Sequence, residues 1–141
     1  MPDLDFLIER RILKLGNQLL NHRNDDLKRF NLTAEQSEAL LFFNAHEGAI
    51  LFDLKEHLGI SHQATRNIVE RMKKKDLLYA EVSPEDARAR KIFLTNKGHE
   101  ICNTLELVGT GVGRKLLNGI TEDERKILFF LLDQMTRNMS G

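Results

Sequence analysis

The chain has 141 residues, with 21 Lys and Arg against 21 Asp and Glu, 41% hydrophobic and 30% charged residues. This length suits one compact domain with a real core, and the composition excludes a disordered or fibrous chain. A formal net charge of zero excludes a protein that binds polyanions with its whole surface, so any nucleic-acid contact must come from local charge.

No apolar run nears the roughly 20 residues that a membrane helix needs; the longest, Ile127 to Leu132, stops at Asp133. The acidic start Met1-Pro2-Asp3-Leu4-Asp5 lacks the basic region and cleavage pattern of a secretory signal, which predicts a cytoplasmic protein with no membrane partner. The single cysteine, Cys102, cannot form an internal disulfide and is expected to be a small buried hydrophobe. His22, His46, His57, His62 and His99 are scattered without metal-ligand spacing, so no metal and no cofactor is expected.

In chain order, residues 5 to 22 place Ile8, Ile12, Leu15 and Leu19 at helical spacing and predict an amphipathic first helix. A Thr33-x-x-Gln36 capping box followed by the apolar run Ala39 to Phe43 starts a second helix, which stops near Gly48. Ile50, Leu54 and Leu58 make a short third helix ended by Gly59, and Ser61 opens a fourth that reaches about Lys75. Leu78 to Val82 and Lys91 to Leu94 read as strands around the turn-rich Ser83-Pro84-Glu85-Asp86. A long helix then runs from Thr95 to about Leu117, with Gly109, Gly111 and Gly113 weakening or kinking it. Thr121-x-x-Glu124 is a second capping box, and the final helix carries Ile127, Leu128, Leu131, Leu132 and Met135. The fold class expected is mainly α with a small β-hairpin wing: a winged helix-turn-helix lobe over about 32–98, with terminal helices at about 5–22 and 121–138.

The fourth helix has the two faces that base reading requires. Thr65, Ile68, Val69 and Met72 form the side that packs, while His62, Gln63, Arg66, Asn67 and Glu70 form the other. Gln63 and Asn67 are suited to adenine, Arg66 to guanine, and His62 to a base or a phosphate; Ser61 stands at the helix start. Arg71, Lys73, Lys74 and Lys75 are suited to the phosphate backbone. In the hairpin, Arg88, Arg90 and Lys91 flank a turn from which arginine reaches a narrow minor groove. Asp86 would repel phosphate if free, so an ion pair with Arg88 that stiffens the wing is expected. A solvated charged face is the plain alternative for both elements.

Leu32-Thr33-Ala34-Glu35-Gln36, Leu54-Lys55-Glu56-His57-Leu58-Gly59-Ile60-Ser61, Asp86-Ala87-Arg88 and Leu94-Thr95-Asn96-Lys97-Gly98 resemble, in order and spacing, the pattern of MarR-type regulators. The resemblance covers nearly the whole chain. It implies a homodimer joined by its first and last helices, binding to double-stranded DNA, and repression or activation relieved by a small-molecule effector or by oxidation. Two positions depart from the family: Asp76 stands where glycine is usual, and Ala87 where a basic residue is common. Asp tolerates the left-handed turn.

The terminal helices have more apolar surface than a small lobe covers, and a twofold partner would bury it and place two recognition helices about 34 to 36 Å apart on a near-palindromic operator. No nucleophile with a base, no phosphate-binding glycine loop and no metal cluster is visible, so an enzyme is not expected. A winged-helix module that binds protein rather than DNA is the alternative function.

Overall fold

The computed structural model describes residues 1–85 and 89–140, with the backbone alone described at 108–110. Along the chain run α1 (Leu4–Leu27), a 3-10 turn (Lys28–Phe30), α2 (Ala34–Ala45), α3 (Leu51–Leu58), α4 (His62–Lys74), β1 (Leu78–Val82), β2 (Arg90–Leu94), α5 (Asn96–Leu116) and α6 (Glu122–Ser140). This is the helical fold with a two-stranded hairpin expected from the sequence. It divides into two compact units, Met1–Gly109 and Thr110–Gly141, within the glycine-containing stretch of α5. None of the helices of the described residues is long and apolar enough to cross a membrane.

The first unit closes around Leu27, Leu40, Phe43, Leu54, Met72, Leu77 and Cys102, all nearly or fully buried. Local chemistry sets where its helices begin. Thr33 Oγ1 accepts the Gln36 N–H at 3.1 Å and Gln36 Oε1 accepts the Thr33 N–H at 3.3 Å, the capping box expected for α2. Asp53 accepts the Ile50 N–H at 3.0 Å at the start of α3, and Gly59 ends that helix at φ +67°, a left-handed turn that suits glycine.

Several boundaries differ from the sequence reading, most by one or two residues, and two differences have a visible cause. The first helix continues five residues past 22, because the polar stretch after Leu20 is anchored at both ends of its last turns. Asn24 Oδ1 accepts the Ala34 N–H at 3.0 Å, and Leu27, seven residues on from Leu20, enters the core. The second strand begins at Arg90 rather than Lys91, since the ladder pairs Val82 with Arg90 as well as Glu81 with Lys91. The hairpin is tied to the lobe from one side by Gly48 N–H to Ile92 O at 3.0 Å and Ile92 N–H to Ala49 O at 2.9 Å. At the base of the hairpin, Thr95 N–H continues the ladder to Leu77 O at 3.1 Å. Gly98 lies so close beneath that turn that a Cβ there would stand 2.3 Å from Leu77 O, which excludes any side chain without backbone movement.

In the second unit, Thr121 and Glu124 form the other expected capping box, at 2.9 and 3.2 Å. Arg125 closes the turn before α6 by donating from Nε to Ile120 O and from Nη2 to Leu117 O, both at 2.9 Å. No residue of α6 is buried, and Ile127, Phe129, Phe130, Leu131 and Leu132 are exposed.

Candidate nucleic-acid interface

Helix α4 owes its start to Ser61, whose Oγ accepts the Ala64 N–H at 3.1 Å and whose carbonyl accepts the Thr65 hydroxyl at 2.8 Å. Thr65, Val69 and Met72 are buried and Ile68 half-buried, while His62, Gln63, Arg66, Asn67, Glu70, Arg71 and Lys74 are exposed. The two faces read from the sequence are therefore present. Along the exposed face Gln63 Nε2 donates to Asn67 Oδ1 at 3.1 Å. An amide nitrogen has two protons and an amide oxygen two lone pairs, so this bond restrains both side chains and leaves each able to pair with a base edge.

Arg66 and Arg90 face one open groove of about 360 Å³ between α4 and the hairpin, together with Lys73 and Glu70. Its apolar lining is Leu51, Val69, Ala80 and Ile92. Strand alternation accounts for Arg90 and Ile92 sharing that face. Lys91 belongs to the opposite one, beside Phe93, where both side chains approach Gly48. The structure thus brings Arg66, Lys73 and Arg90 together and leaves Lys91 apart from them. Lys73 is not a free cation: its Nζ is 3.2 Å from Glu70 Oε1. Glu70, which sequence reasoning placed on the face without a role, divides the positive charge of the groove. The expected Asp86–Arg88 ion pair lies outside the described residues.

Lys75 corrects the sequence reading, which grouped it with the phosphate-facing cations. Its ammonium donates to Asn31 O and, at 2.9 Å, to Gln36 Oε1 of the α2 capping box. Burial, and then the neighbouring Arg71 charge, holds its pKa below the ordinary lysine value. Directly after it, Asp76 takes the left-handed conformation at φ +61° that the sequence predicted for it. Its carbonyl accepts the Thr95 hydroxyl at 2.6 Å.

Away from this surface, Cys102 is fully buried with Sγ 3.6 Å from Leu40 O, and its pKa is pushed up to about 11, chiefly by desolvation. A thiol so placed is neutral at physiological pH, in keeping with a packing role. His57 pairs with Glu38 at 2.9 Å and His99 with Glu47 at 3.2 Å. No cluster of His, Cys, Asp and Glu able to hold a metal occurs among the described residues.

A family model described as the MarR family matches residues 30–89. A mutant of MarR from E. coli, solved in complex with operator DNA, is 25% identical over 95% of this chain and 99% of that one, with a TM-score of 0.82. Two structures share the fold at 19% identity. The MarR protein from Peptoclostridium difficile covers 99% of this chain and 91% of its own at a TM-score of 0.90, and the S. aureus MepR–DNA complex 97% and 99% at 0.86.

Proposed function

We propose that the chain is a transcription regulator of the MarR family, whose model matches residues 30–89, and that it binds DNA sequence-specifically. It acts as a homodimer in the cytoplasm, as a repressor released by a small-molecule effector. One observation carries the reading: Gln63, Arg66 and Asn67 occupy the exposed face of α4 near its N-terminus, and Arg66 faces Arg90 of the hairpin across one groove. A helix placed this way reads base edges in the major groove while a hairpin cation meets backbone or minor groove. His62, Arg71 and Lys74 add phosphate contacts, Ser61 sets the helix start, and Lys91 serves the backbone on the outer side of the hairpin. Arg88 and Asp86 complete the wing in this reading.

The homodimer rests on the exposed apolar residues of α1, among them Leu4, Phe6, Ile8 and Ile12, and of α6, which a twofold copy would cover. The effector is a small apolar or aromatic compound, and phenolic compounds that release the protein from DNA are its direct test.

Selecting duplexes from a random pool with the wild-type protein tests the function. Arg66→Ala is expected to cost about 1 to 3 kcal/mol on the selected duplex and to relax preference at one position. Arg90→Ala is expected to weaken selected and random duplexes alike and to lower the slope of log affinity against log salt by about 1. A wild type that binds no duplex would favour a protein-binding winged helix instead.

A further inference from the structure

The end of α4 is held from two sides. On one side, Lys75 caps the helix, its N–H bonding to Arg71 O and Lys73 O. Its side chain crosses to the connection between α1 and α2, where it meets Asn31 O, in a left-handed residue at φ +55°, and Gln36 Oε1. Gln36 is 4% exposed, and the same oxygen already accepts the Thr33 N–H, so the acceptor is fixed by the α2 cap and cannot follow a moving lysine. On the other side, Thr95 holds the carbonyls of Asp76 and Leu77, and Lys97 Nζ reaches Lys75 O at 3.3 Å. The α2 cap is in turn joined to α1 through Asn24.

We propose that Lys75 is a positioning residue for DNA reading, tying the C-terminal end of α4 to the α1–α2 connection so that the tilt of the recognition helix is set by the N-terminal helix. The proposal rests on α4 being the DNA-reading helix. A helix that pivots about its end moves its base-facing side chains off their partners, while its exposed cations still find phosphate. The signature of a positioning residue is therefore a loss of preference rather than a loss of charge. Partial desolvation of the ammonium, which together with the Arg71 charge lowers its pKa, agrees with a lysine whose bonds are made to protein and not to DNA.

The test compares affinities for the duplex selected by wild type and for a random duplex, at several salt concentrations. Lys75→Met is expected to lower the ratio of the two by about tenfold, the scale of one impaired base contact, with the salt slope unchanged. Lys75→Arg still donates to both oxygens and is expected to keep most of the ratio. Lys74→Ala is the contrast: its ratio is expected to hold while its slope falls by about 1. Simple loss of folded protein would weaken both duplexes equally and leave the ratio as it was.

An unchanged ratio in Lys75→Met overturns the proposal, as does a fall in slope like that of Lys74→Ala, or a Lys75→Arg ratio no better than that of Lys75→Met. If Lys75→Met does not fold, Gln36→Met takes its place, removing the side-chain acceptor of the two and keeping the cation; an unchanged ratio there overturns the proposal too. A wild type that prefers no duplex overturns the DNA reading itself, whereas selective wild type with equally selective variants overturns the tie alone.

Discussion

Helices α2 and α6 begin with the same chemistry and meet opposite fates. Each opens on a threonine that caps the backbone three residues on and is capped in return, by Gln36 in α2 and by Glu124 in α6. Each then carries a run of apolar residues. In α2 that run becomes core, with Ala39, Leu40 and Phe43 fully buried, whereas in α6 Phe129 is 74% exposed. Capping satisfies the orphan N–H groups of a first turn and so decides where a helix starts; what its apolar side covers depends on which elements arrive from elsewhere. The apolar surface of α6, like that of α1, is what a twofold copy would cover in the proposed dimer.

The comparison breaks first at its largest difference. Phe43→Ala should destabilise the protein by about 3 to 5 kcal/mol, the scale for emptying a closed aromatic site, as measured by denaturant unfolding. Leu131→Asp on α6 should act through assembly instead. Wild type should sediment as a dimer at micromolar concentration with a concentration-dependent unfolding midpoint, and the variant as a monomer without that dependence. A variant that sediments as wild type does would mean that α6 meets no twofold copy through this face.

The same contrast explains what was legible in the sequence. Periodicity and caps located α2, α3, α4 and the hairpin because those signals are local: Thr33 and Gln36 are three residues apart, and Thr65, Val69 and Met72 repeat at helical spacing. Lys75 was not legible. Three consecutive lysines look alike in sequence, and the one that turns inward does so because Asn31, 44 residues earlier, presents a carbonyl to it. The extension of α1 was hidden for a similar reason, since the Asn24 side chain accepts the Ala34 N–H across the chain's first reversal. Arg90 shares a face with Ile92 and not with Lys91, which strand alternation alone would have separated. That Arg90 faces Arg66 depends on how the hairpin docks on Gly48 and Ala49, and no short-range pattern encodes it.

The caps themselves give the finest test. Thr33→Ala and Thr121→Ala should each cost about 1 kcal/mol near neutral pH, because each loses the same side-chain acceptor at a helix start. Their pH dependence should separate them. In α2 the reciprocal acceptor is the amide of Gln36, which does not titrate. In α6 it is the carboxylate of Glu124, whose pKa lies below the ordinary 4.5, held there first by the Thr121 backbone N–H and then by the Thr121 side chain, against a smaller opposing effect of desolvation. A carboxyl group with a depressed folded-state pKa contributes stability above its unfolded value and loses that contribution as pH falls through the folded one. Unfolding measured from neutral pH down to about pH 3, past the usual glutamate range, should therefore show the cost of Thr121→Ala shrinking while that of Thr33→Ala stays level. Taking differences between each variant and wild type cancels the other carboxylates that titrate in the same range. Glu124→Gln should make the second cap behave like the first, with a pH-independent cost for Thr121→Ala in that background. Parallel responses in both threonine variants would show that the Glu124 charge adds nothing to the start of α6 beyond the hydrogen bond that a neutral side chain provides.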